Sequence, residues 1–209
     1  PSIGGGGECL IPIQRLARSV LDAEKTRLSL GESLVIAKTV EDAGYAIEPD
    51  PRVTSKAYSG LETVALYLPT EGGKPDSARY ATARAVATLC VSVAMTDGKA
   101  ESSETDGIVD GVSRMLVLPP HETRRLQALV AVLLQSGIET ASIGAKLRSS
   151  TTLDMRQKLG RFLVVIAATE GLSDREEVVL RTCFRQLGLP ASLLKDTIAE
   201  LSSNAKDDL

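Results

Sequence analysis

The sequence predicts an all-α protein: a helical bundle with a pseudo-twofold internal repeat, preceded by a short helical and irregular N-terminal region holding one small hairpin. Three observations carry the prediction. From Pro75 to Leu201 apolar residues recur at helical spacing almost without interruption. Gly98, Gly137, Gly171 and Gly188 fall where helix C-terminal caps belong. Two segments 73 residues apart also repeat one another in character, the sign of a duplicated structural unit.

In chain order, the glycine run Gly4–Gly7 reads as a linker, because no strand precedes it and no Gly-Lys-Ser/Thr follows to make a phosphate loop. Leu10, Ile13, Leu16, Ala17, Val20, Leu21 and Leu28 then predict an amphipathic helix from Leu10 to Leu28, the surface by which the N-terminal region packs on the bundle. A second helix is predicted from Gly31 to Ala43, stopped by Gly44. Glu48-Pro49-Asp50-Pro51 fixes an extended turn, and Thr63 to Leu68 is β-branched and aromatic enough for a strand that pairs with Tyr45 to Ile47. Thr70 to Pro75 is the best internal boundary. It gives an N-terminal region of residues 1–75, a helical domain of 76–201 and a frayed polar tail of 202–209. Within the domain, helices are predicted at Asp76–Met95, Ser102–Val117, Pro120–Gln135, Ile138–Arg148, Leu153–Thr169, Arg175–Leu187 and Ala191–Leu201.

Composition excludes several functions. The 209 residues carry a net charge of −3 and only six aromatics, with no basic cluster interleaved with stackable rings, so no nucleic-acid surface is expected. The longest apolar runs, Ala128–Leu134 and Phe162–Ala168, are far shorter than the roughly 20 residues a membrane span needs. A single histidine, His121, excludes a zinc site needing two and leaves every Ser-His or Cys-His scheme resting on one position; no enzyme activity is expected. Cys9, Cys90 and Cys183 lack CxxC spacing and read as core residues of a reducing compartment. Arg124 and Arg125, beside His121 and Glu122, read as a solvated helix face rather than an anion site.

The repeat carries the sharpest functional signal. Leu89–Glu104 aligns with Phe162–Glu177, matching Val91, Ala94, Thr96, Gly98 and Glu104 with Val164, Ala167, Thr169, Gly171 and Glu177. Each copy reads acid-Gly-x-x-acid-x-x-Glu after an apolar helix: Asp97, Glu101 and Glu104 in the first, Glu170, Asp174 and Glu177 in the second. Ser173 and Glu176 form a capping box that starts the following helix. Dipole and capping preferences account for Glu101, Asp174 and Glu176. They do not account for Asp97 and Glu170, which sit at the C-terminal ends of helices, where negative charge is disfavoured. That charge calls for a cation, a basic partner or a shell of water. An all-carboxylate donor set favours Ca²⁺, Mg²⁺ or Mn²⁺ over Zn²⁺, and the turn is too short for an EF-hand loop.

The paired acid-Gly turns, Met95–Glu101 and Thr169–Glu177, resemble the TerB family associated with tellurite resistance, and His121–Ala128 looks like that family's third helix. The resemblance covers about Asp76 to Leu201. Upstream, Ala43–Arg52 is similar to the segment preceding the TerB module in longer proteins that also carry TerB-type N- and C-terminal domains, so the chain, which begins with Pro1, reads as a piece of such a protein. The resemblance implies a non-enzymatic, all-helical bacterial module of a tellurite-resistance or stress-response system, with an acidic cation-binding face. Its implied metal ligands are Asp97, Glu101, Glu104, Glu170, Asp174 and Glu177, with Ca²⁺ the preferred ion. Glu170 departs from the Asp usual in both turns of the family, and Ala100 stands where Ser173 caps the other copy. The expected partners are other protein domains, the flanking regions of the same full-length chain among them, and the expected location is the cytoplasm or the periphery of the inner membrane. The alternative is a metal-free docking domain whose acidic face meets a basic partner.

Overall fold

A computed structural model of the chain describes residues 2–3, 7–22, 24–25, 27–59, 62–71, 77–98, 102–135, 143–169 and 171–207. These fall into two compact units, one of residues 1–80 with 117–137 and one of residues 81–116 with 138–209.

The first unit is built on a small antiparallel sheet of β1 (Ser2–Ile3), β2 (Cys9–Pro12), β3 (Ala46–Glu48) and β4 (Thr63–Tyr67), in the order β1-β2-β4-β3. The predicted pairing of Tyr45–Ile47 with the strand after Thr63 is present, with Ile47 opposite Leu66. The predicted helix from Leu10 to Leu28 is not. Leu10 lies in β2 opposite Ala65, α1 runs only over Ile13–Leu21, and Asp22 ends it in the left-handed region. Leu28 is buried beyond the helix, beside an Arg27–Ser59 bridge. The apolar spacing marks burial correctly but does not make one helix, because Pro12 stands at the junction and the residues before it pair with β4 instead. α2 (Leu30–Asp42) begins at a capping box of Ser29 and Glu32. After β3, a cis Glu48–Pro49 bond leads to Asp50, which caps the short α3 (Pro51–Thr54).

Strand alternation distributes β4 between two layers. Val64 and Leu66 join Ile13, Ile36, Val40 and Ile47 in the core beneath α1 and α2. Ala65 and Tyr67 point the other way and pack with Leu10 on Ala128 and Val132. Those two residues belong to α6 (Pro120–Gln135), which follows α4 (Ser77–Ala94) and α5 (Ser102–Leu116) in the chain. The N-terminal region therefore meets α6 mainly through β4 and β3, with Leu10 of the predicted apolar stripe on the same side, while α1 packs on α2 and β2. The sequential division at Pro75 and the packing division differ for the same reason: α6 lies within the helical run but shares its core with the sheet.

The second unit takes α4 from Ala81, a 3-10 turn over Met95–Asp97, α5, α7 (Ile143–Ser150), α8 (Leu153–Ala167), α9 (Asp174–Leu187) and α10 (Ala191–Asp207). Among the described residues, the seven helices after Pro75 match the prediction to within a few residues, except at two ends. The start predicted for the fourth, Ile138, lies outside the described residues, as do Gly137, Gly4–Gly6 and most of the Thr70–Pro75 boundary. The expected polar tail is instead a continuation of α10 to Asp207, since nothing after Leu201 breaks a helix. α8 packs against α5, α7, α9 and α10, as the apolar character of Phe162–Ala168 requires. Among the described residues no helix is long and apolar enough to cross a membrane.

Candidate functional site

The two acidic turns are built alike. α4 gives way to the Met95–Asp97 turn, and Gly98 closes it at φ 91° with its N–H bonded to the Met95 carbonyl. α8 ends at Ala167, and Gly171, at φ 101°, bonds to the carbonyl of Ala168. Each backbone thus reverses on a glycine in the left-handed region, directly after an acid in the sequence. Ser173 then caps α9, accepting from the Glu176 N–H at 3.3 Å, while the Glu176 carboxylate takes the Ser173 N–H at 2.8 Å. The predicted capping box is present.

The structure places the Met95–Asp97 turn against α9, so the Asp97-Gly98 reversal lies beside the helix that carries Asp174 and Glu177. Asp174 is the first residue of α9 and is exposed. Glu177, one turn on, is half-buried and accepts from Arg181 Nη2 at 2.6 Å. Glu101 and Glu170 lie outside the described residues, as do the side chains of Asp97 and Glu104, whose backbones close the 3-10 turn and open α5. Among the described residues no three His, Cys, Asp or Glu side chains converge, and of the six candidates only Asp174 and Glu177 have described side chains.

A second polar constellation, in the sheet-bearing unit, went unread in the sequence. Strand pleat turns Glu48 toward α6, where it accepts a bond from Arg125 Nε. Arg125 Nη2 also donates to Asp50 at 3.0 Å, and the phenol of Tyr80 donates to Glu48 at 3.1 Å. Arg52 completes the pairing of Asp50 at 2.8 Å. Arg124 reaches Glu8 at 3.0 Å and lies over the ring of Tyr67, and Arg79 grips the fully buried Glu122 at 2.8 Å. Arg124 and Arg125 are therefore not a solvated face: Arg125 is 8% exposed. The signal available was Arg125's place on the stripe it shares with Ala128 and Val132, which points inward. Burial opposes charge on both partners, yet Glu48 keeps the Arg125 guanidinium protonated, and Arg52 with Arg125 holds Asp50 below the usual carboxylate range. Burial also raises the Tyr58 and Tyr67 phenols, so both stay neutral.

Residues 83–197, more than half the chain, match the family model described as tellurite resistance protein TerB. The chain belongs to the TerB family. The TerB match takes in both acidic turns and α6, but none of Glu8, Glu48 and Asp50. No curated protein and no solved structure gives a significant match.

Proposed function

We propose that this chain is a non-enzymatic module that binds a divalent cation, Ca²⁺ by preference, within a tellurite-resistance or stress-response system. The observation that carries the reading is the packing of the Met95–Asp97 turn on α9, the helix whose first turn carries Asp174 and Glu177. Asp97, Glu101, Glu104, Glu170, Asp174 and Glu177 would hold the ion, and their oxygens suit a hard cation of flexible coordination. Asp97 closes a helical segment at the end where the backbone dipole disfavours an anion, so a bound cation would offset a standing electrostatic cost. The Glu177–Arg181 pair is a weak i,i+4 contact at the helix surface, so a divalent ion would compete with Arg181 for the carboxylate. Nothing in this arrangement asks for a nucleophile or general base, so the module works by binding alone, offering its loaded or unloaded face to another protein domain.

Calorimetric titration of the chelator-treated chain with Ca²⁺, then with Mg²⁺, tests the reading. Saturable heat with Ca²⁺ is the expected result. No heat with either ion would make the acidic face a docking surface for a basic partner.

A further inference from the structure

Two neighbouring arginines of α6 meet acids that lie outside the TerB match: Arg124 meets Glu8, and Arg125 meets Glu48 and Asp50. The apolar part of the same contact, Ala128 and Val132 against Ala65 and Tyr67, is modest and non-directional. A guanidinium fork is directional, because its N–H vectors are fixed in one plane. Its acceptors are also fixed independently of α6. Glu48 is held by β3 and Tyr80, and Asp50 by Arg52 and by its capping bond to the Arg52 N–H. A slip of α6 by one turn, about 5.4 Å, would strand Arg125, Glu48 and Asp50 together.

We propose that α6 is the docking helix for the N-terminal segment and that Arg125 sets its register, reading both carboxylates of the Glu48-Pro49-Asp50 corner with one guanidinium. Buried charge clusters contribute little net stability against apolar replacements, and fixing register is their best-attested use. The helix that the TerB match assigns to the module thus opens and closes with β3 and β4, and its partner is a segment ending a strand in two carboxylates around a proline.

Amide hydrogen exchange on the full chain tests this. Arg125→Lys keeps the charge but offers a single point that cannot span both carboxylates. Exchange should quicken at least tenfold, and together, in peptides covering β3, β4 and α6, with α8 peptides unchanged as the internal reference. The triple variant Arg125→Met/Glu48→Gln/Asp50→Asn removes the charges while its new asparagine side chain can still cap α3. It should keep the parent's circular dichroism yet show the same fast exchange. Parent-like protection in either variant, or β3 and β4 quickening without α6, would overturn the proposal. The lysine variant decides alone should the triple variant not fold.

Discussion

Gly111 of α5 lies directly against the ring of Phe162 in α8: a Cβ built on Gly111 would stand 2.2 Å from the ring Cζ. Gly107, one turn earlier on α5, has only the Ile166 Cδ1 nearby, at an ordinary 3.9 Å. Two glycines of one helix therefore make opposite predictions. Gly107→Ala should stabilise by up to about 1 kcal/mol, because alanine restricts the unfolded chain and suits a helix. Gly111→Ala should destabilise by about 1 to 3 kcal/mol through overpacking. Urea unfolding of both variants checks the pair, and equal effects would mean that α5 and α8 do not approach as described.

The second prediction concerns acid. Asp50 titrates below its ordinary value of 3.8 in the folded chain, so its contribution is complete above that value and disappears as pH falls through the folded one. Asp50→Asn should cost about 1 to 3 kcal/mol near neutrality. The difference in urea midpoint between parent and variant should stay flat from neutral pH to about pH 5 and close below about pH 4. A difference independent of pH would show that Asp50 acts only as a helix cap.

How far the sequence reveals this molecule depends on the range of the interaction involved. The Ser173–Glu176 box, the glycine-closed turns and the helices of the second unit are local, written in spacings of three to four residues, and are found where expected apart from the start of α7 and the end of α10. The β3–β4 pairing was also legible, since proline and glycine isolate one strand and β-branching marks the other. β2 was not, because Leu10 and Ile13 fit a helical stripe equally well and only the partner strand decides between them. The buried arginines were least accessible. The acids that neutralise Arg124 and Arg125 lie 116, 77 and 75 residues away, and without them two adjacent arginines look like solvent-facing charge. The residues of the acidic turns are legible in their spacing, and the fold adds that the first turn lies on α9.

Thiol reactivity supplies a third prediction. Burial pushes the Cys183 thiol up to about 11 and raises that of Cys90 as well, which suppresses the reactive thiolate in both. Cys9, in β2, is only half-buried. At pH 8 a disulfide reagent should therefore label one thiol of three quickly in the native chain, and all three in denaturant. Rapid labelling of three in the native state would show that the core holding Cys90 of α4 and Cys183 of α9 opens readily.

The cation claim meets its most direct test in thermal melts of the parent and of the Asp97→Asn/Glu170→Gln variant, each in chelator and in millimolar Ca²⁺. Ligand binding to the native state alone adds about 2.7 kcal/mol at a hundredfold excess over Kd, which raises Tm by several degrees in a chain of this size. The parent should show that rise. The double variant should show none, and in chelator it should melt above the parent, because two of the like charges proposed to share the acidic face are gone. A parent that ignores Ca²⁺, or a double variant that responds as the parent does, would contradict the cation site.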